Sequence, residues 1–156
     1  MKRPANSIEV EGLGKDFGAV RALNAVSFAV EAGSYFVLLG PSGGGKTTIL
    51  RLIGGFERPT RGRVRLMDGD VTDVPPNRRG STMVFQDFAL FPHMNVERNV
   101  GYGLRLRKHS AAEIREKVEG MLELVGLTGL NHRMPNELSG GQQQRVQLAR
   151  SLVLGT

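Results

Sequence analysis

Eight residues, Gly40-Pro41-Ser42-Gly43-Gly44-Gly45-Lys46-Thr47, satisfy the pattern G-x-x-x-x-G-K-[ST] and stand between two apolar stretches. That placement constrains the fold more than any other feature of the chain. The pattern works only where a strand enters the glycines and a helix leaves them, because then successive amide N–H groups converge on one point. Tyr35-Phe36-Val37-Leu38-Leu39 has the continuous apolar profile of a strand buried on both faces of a parallel sheet. Ile49, Leu50, Leu52 and Ile53 recur at helical spacing, and Gly54-Gly55 can close that helix. Glycines let the backbone turn tightly, and the helix N-terminus adds its positive end, so an anion of the phosphate class is the expected occupant. Lys46 is then placed to reach the β- and γ-phosphates of a nucleotide. The Thr47 hydroxyl is placed to ligate Mg²⁺, and Thr48 to bond an α-phosphate oxygen.

The remaining chain reads as an α/β arrangement. Ile8, Val10 and Leu13 approach strict alternation and residues 25–30 read similarly, so the first thirty positions predict antiparallel strands joined by a Gly-rich turn. Residues 63–67 and 82–85 predict two more strands, with Asp68-Gly69 as a turn signal. After Pro92 the character becomes helical. Ser110-Ala111-Ala112-Glu113 is a capping box opening an amphipathic run through Ile114, Val118, Met121, Leu122 and Val125. Ser139-Gly140-Gly141-Gln142 repeats the Ser-x-x-Gln logic before Val146, Ala149, Arg150 and Val153.

A chain of 156 residues has room for about one core, with a small appended lobe at most. No apolar run approaches the roughly 20 residues needed to cross a bilayer, and no secretory h-region follows the N-terminus. A cytoplasmic address is the expectation. Cysteine is absent, which excludes disulfides and thiolate chemistry. The formal charge of +6 invites a nucleic-acid reading. The basic residues, among them Arg58, Arg61, Arg63, Arg65 and Arg78-Arg79, are dispersed among acids and turns and read as a solvated surface.

Leu138-Ser139-Gly140-Gly141-Gln142, followed by Gln143-Gln144-Arg145-Val146-Gln147-Leu148-Ala149-Arg150, makes the resemblance specific. The chain resembles the ATP-binding subunits of ABC transporters, with both motifs in the family's order. The resemblance implies a P-loop ATPase core with an antiparallel β subdomain and a helical subdomain. It implies ATP and Mg²⁺ as cofactors, held by Gly40, Pro41, Ser42, Gly43, Gly44, Gly45, Lys46, Thr47 and Thr48. Ser139, Gly140, Gly141 and Gln142 would bind the ATP of a facing subunit in a two-fold dimer. Lys15-Asp16-Phe17-Gly18-Ala19-Val20 resembles the family's adenine-stacking segment, which assigns that role to Phe17. Residues 84–94, Val84-Phe85-Gln86 onward to Met94, resemble the Q-loop, where Gln86 would bind Mg²⁺ and the attacking water. Gln86 and Lys46 are the implied catalytic residues.

The implied partners are membrane-spanning permease subunits, a second ATP-binding subunit and, indirectly, a solute-binding protein. Nucleic acid is not among them. The implied location is peripheral, at the cytoplasmic face of the membrane. Phe-x-Leu-Phe-Pro-His-Met and Pro75-Pro76-Asn77-Arg78-Arg79 look most like importers of polyamines, ferric iron, sulfate or sugars, polyamine first. Arg98, Gln147 and Gly54 depart from the residues common there. Residues 1–91 are read as β subdomain and phosphate-loop core, 92–138 as helical subdomain and 139–156 as signature helix.

The family's catalytic Asp-Glu pair and switch His should follow the signature helix. No Asp-Glu dipeptide occurs in the chain, and His93, His109 and His132 all precede Ser139. Weak nucleotide binding with negligible hydrolysis is therefore expected. Two other readings stay open: an ABC-type ATPase acting on nucleic acid, although no coiled coil or Cys-rich insert separates Lys46 from Ser139, and a non-catalytic nucleotide-binding fragment.

Overall fold

Alternation over the first thirty positions becomes a long hairpin in the computed structural model, which describes residues 6–67, 69–85 and 89–155. Strand β1 (Asn6–Phe17) runs antiparallel to β2 (Val20–Glu31), and β1 also pairs with β3 (Arg61–Leu66), which pairs with the two-residue β4 (Gly69–Asp70). The sheet order is β2-β1-β3-β4. One face is apolar, as the period-2 pattern requires. Val10, Leu13, Leu23 and Val64 are buried there against Ile49 and Leu52 of helix α1 (Lys46–Gly54). On β3, Arg61, Arg63 and Arg65 form ion pairs with Asp16, Glu11 and Glu9 of β1. Register explains two of them, since Glu9 faces Arg65 and Glu11 faces Arg63.

Chain contacts divide the molecule into two units, Met1–Ser81 and Thr82–Thr156. The second unit is helical: α2 (Val96–Val100), α3 (Tyr102–Leu106), α4 (Ala111–Leu124) and α5 (Gly140–Leu152). Its core gathers Val96, Val100, Leu104, Ile114, Val118, Leu122, Leu138, Val146 and Ala149. Both predicted capping boxes form, at Ser110 with Glu113 and at Ser139 with Gln142. Arg145 donates from Nη1 to the carbonyls of Val125 and Gly126 at 3.1 and 3.2 Å, so α5 closes the free end of α4. Gly101 separates α2 from α3 where α4 comes close: a Cβ there would lie 3.0 Å from Ile114 Cγ2.

Three expectations need correction. Residues 35–39 are not a strand, and neither are 82–85; no backbone ladder accompanies either segment among the described residues. An apolar run becomes a strand only where a second backbone lies alongside to take its N–H and C=O groups. What remains is a one-sided version of the expected burial. Phe36 stacks on Phe28 of β2, with ring centroids 5.0 Å apart, and Leu38 packs on the sheet core. Tyr35 and Leu39, on the opposite side of the extended chain, are 103% and 89% exposed. The third correction is Arg79, expected on the solvated surface but only 3% exposed.

Candidate functional site

The glycines do at the start of α1 what their conformational freedom allows. Gly43 and Gly45 sit at φ 79° and 81°, in the left-handed region closed to most side chains. Gly45 also lies against β2, where a Cβ would meet the Ala22 carbonyl at 3.2 Å and Leu23 Cγ at 3.5 Å. The loop closes on itself through a 3.1 Å bond from the Gly44 amide to the Pro41 carbonyl. Lys46 folds back across it. Its ammonium donates to the carbonyls of Gly40 and Pro41 at 2.8 and 2.6 Å, which sets a full positive charge in the mouth of the turn. No side chain caps the N-terminus of α1. The first-turn amides of Lys46, Thr47 and Thr48 therefore keep their donors for an acceptor outside the helix. Ser42 and Thr47 are exposed and Thr48 is half-buried. These donors and this cation fit a polyphosphate, and the exposed Thr47 hydroxyl at its edge fits a magnesium ion bound to one.

Phe17 ends β1, 46% exposed, paired across the hairpin turn with Val20. The Lys15 ammonium lies 4.8 Å from its ring centroid. Because Gly45 abuts Ala22 and Leu23, only two or three residues along β2 from Val20, the aromatic ring and the loop occupy the same end of the hairpin. A lysine-backed, solvent-facing ring suits stacking on a flat heterocycle.

In the second unit, Ser139 Oγ accepts from the Gln142 amide at 3.3 Å, and Gln142 Oε1 accepts from the Ser139 amide at 2.9 Å. This reciprocal cap leaves the exposed amides of Gly140 and Gly141 as donors at the positive end of α5. Gln86 lies outside the described residues. Sequence reasoning missed Asn99, which is fully buried. Its Nδ2 donates to the carbonyls of Phe91, Met94 and Asn95 at 3.1, 2.8 and 3.1 Å, while Oδ1 accepts from the Phe91 amide at 2.8 Å. One amide thus fixes the turn at 91–95. Phe91, so held, packs on Tyr102 at 4.6 Å and under the Arg150 guanidinium at 5.1 Å. Only tertiary packing marks this Asn out; as a sequence letter it is an ordinary polar residue in a short helix.

Residues 23–156 match the ABC transporter family. The chain belongs to that family. Among its relatives in the ABC transporter family, it is 56% identical over 151 residues to the spermidine/putrescine import ATP-binding protein PotA of Frankia alni, covering 94% of this chain and 32% of that protein. It is 53% identical over 148 residues to the Fe(3+) ions import ATP-binding protein FbpC of Agrobacterium fabrum, covering 95% of this chain and 42% of the relative. The chain thus spans well under half the length of these curated relatives. A solved ATP-binding cassette, dimeric and bound to ADP and Pi in a post-hydrolysis state, superposes with a TM-score of 0.85 at 31% identity, over 95% of this chain and 70% of that one. The P-loop ATPase fold of the family is the fold of this chain.

Proposed function

We propose that this chain grips ATP for an importer of the ABC transporter family. The observation that carries the reading is the Lys46 ammonium held on the Gly40 and Pro41 carbonyls, within a left-handed glycine turn at the uncapped start of α1. Phosphate oxygens meet amide dipoles and a fixed cation there, so binding needs little reorganisation of the protein. Phe17 stacks on the adenine. Thr47 and Gln86 would hold Mg²⁺, which would supply positive charge against the phosphates. Ser139, Gly140, Gly141 and Gln142 receive the nucleotide carried by a second copy, and the dimeric cassette to which the chain is similar supports that arrangement. Residues 1–91 serve as β subdomain and phosphate-loop core, 92–138 as helical subdomain and 139–156 as signature helix.

In the whole protein, ATP binding would close two such subunits and hydrolysis reopen them, driving permease subunits between inward- and outward-open states. A solute-binding protein delivers the solute. The similarity to PotA and FbpC supports a polyamine first and ferric iron second, with sulfate and sugars behind them. No described helix is long and apolar enough to cross a membrane, and the proposed place is peripheral, at the cytoplasmic face.

Titration of fluorescent ATP into the purified chain, with and without Mg²⁺, tests the reading. Saturable binding that falls at least tenfold in Lys46→Ala is expected, since a charge-assisted contact to phosphate is lost. Equal binding by both proteins would overturn it. Phosphate release from the same samples separates this reading from a second, a nucleotide-binding module that does not hydrolyse: release at background in a sample that binds ATP would favour the second, and turnover at rates ordinary for a transport ATPase would exclude it.

A further inference from the structure

The helix that starts at the phosphate loop is held at its other end by an arginine outside the residues read as binding nucleotide. The Arg79 guanidinium is buried and, among the described residues, makes four hydrogen bonds, all to carbonyl oxygens. Nη1 donates to Leu52 at 2.7 Å and to Ile53 at 2.9 Å, both within the last turn of α1, where the Leu52 carbonyl also accepts from the Gly55 amide at 3.2 Å. Nε donates to Val74 at 2.7 Å and Nη2 to Thr72 at 3.1 Å. Space has been cleared for it. Gly55, the left-handed cap of α1 at φ 78°, would carry a Cβ 2.4 Å from Arg79 Nε, so the cap glycine and the arginine fit only together.

We propose that Arg79 is a positioning residue for the nucleotide site, fixing α1 from its C-terminal end so that the phosphate loop at its N-terminal end keeps its aim. The inference rests on the reading of Gly40–Thr48 as the phosphate site. Three arguments carry it. A buried guanidinium without a bonded carboxylate is costly, so its place in the fold calls for a return beyond bulk packing. Burial pushes its pKa down, and the nearby Asp73 charge opposes that shift. A cation at the negative end of α1 also complements an anion at the positive end, so Arg79 and the phosphates act on one dipole from opposite sides. Finally, α1 is only nine residues long, and a helix that short owes its order to what grips its ends and its apolar face. Arg79 itself touches no nucleotide atom in this scheme; it acts through α1.

The test compares the parent chain with Arg79→Lys, with Lys46→Ala and with Val118→Ala, the last a core truncation in the helical unit. Affinities for Mg·ATP and for adenosine are measured together with the thermal midpoint. In Arg79→Lys, which keeps the charge but loses the fork, Mg·ATP affinity should fall about tenfold while adenosine affinity stays unchanged. Val118→Ala should lower the midpoint and leave both affinities as they were. Unchanged Mg·ATP affinity in Arg79→Lys, an equal loss for both ligands, or the same selective loss in Val118→Ala would overturn the proposal. Should Arg79→Lys fail to fold, Gly55→Ala displaces the guanidinium without removing it. The same selective loss is expected there, and retained affinity would again overturn the proposal. If Lys46→Ala binds Mg·ATP like the parent, the phosphate-site reading has failed instead, independently of Arg79.

Discussion

Two buried amides in the helical unit show how completely the worth of a polar side chain depends on its partners. Asn99 makes four hydrogen bonds and holds the turn at 91–95 in one shape. Gln147 on α5 is 0% exposed, yet among the described residues neither its Oε1 nor its Nε2 has a hydrogen-bond partner. An orphaned buried amide costs about 1–3 kcal/mol, whereas a satisfied one adds to stability. Opposite outcomes follow from the two truncations. Asn99→Ala should destabilise the unit by about 2–3 kcal/mol, removing the side-chain bonds to the Phe91 amide and the Met94 carbonyl while the Phe91 and Asn95 carbonyls keep backbone partners. Gln147→Met, close in volume and without polar atoms, should stabilise it by about 1 kcal/mol. Urea unfolding curves measure both; a Gln147→Met midpoint below that of the parent would mean that the amide finds a partner in solution.

At the scale of elements, α4 offers a clean link from local sequence to pH dependence. Backbone and hydroxyl hydrogen bonds from Ser110 to the Glu113 carboxylate, both 2.8 Å, hold its pKa below the ordinary glutamate value, with His109 and Lys117 adding smaller pulls in the same direction. A folded-state pKa below the unfolded one stabilises the fold above the ordinary value, about 4.3, and that contribution disappears as pH falls through the lowered value. Glu113→Gln should therefore flatten part of the acid limb of stability, read by the helical circular dichroism signal between neutral pH and pH 3, and Ser110→Ala should cost about 1 kcal/mol at neutral pH. Capping boxes of this kind were legible because every bond in them spans three residues. The hairpin of β1 and β2 was legible for a similar reason, period-2 burial written directly in Ile8, Val10 and Leu13. What could not be read is what depends on partners distant in the chain. Residues 35–39 carry the letters of a doubly buried strand, but strand formation is decided by a neighbour, not by the run itself. Arg79 sits beside Arg78 as if it were surface charge; only the fold brings the carbonyls of Leu52 and Ile53, 27 and 26 residues away, to its guanidinium. Within the site, the loop glycines and Lys46 stood in the motif, whereas the clamp behind them did not.

For the molecule as a whole, the unmatched side of residues 35–39 is the feature with the largest physical consequence. Tyr35, Val37 and Leu39 are exposed on a backbone segment without a ladder, beside a cavity of ≈ 430 Å³ lined by Phe28, Phe36, Leu38, Leu50 and Ile53. Unpaired extended backbone with apolar side chains is a template for another chain. Net charge opposes this, at +6. The ladder of Arg61, Arg63 and Arg65 contributes little to that repulsion, because each is paired with a carboxylate of β1. Short-range apolar attraction should therefore win once salt shortens the reach of the remaining charge, from a Debye length of about 30 Å at 0.01 M to about 8 Å at 0.15 M. Sedimentation velocity should show association that grows with protein concentration and with salt. Tyr35→Lys combined with Leu39→Lys should abolish it, with a stability change within about 0.5 kcal/mol because both side chains are solvated in the single chain. A parent chain that stays monomeric at high salt would mean that Phe36 and Leu38 alone hold the segment closed against the sheet, whereas association surviving both lysines would place the adhesive surface elsewhere.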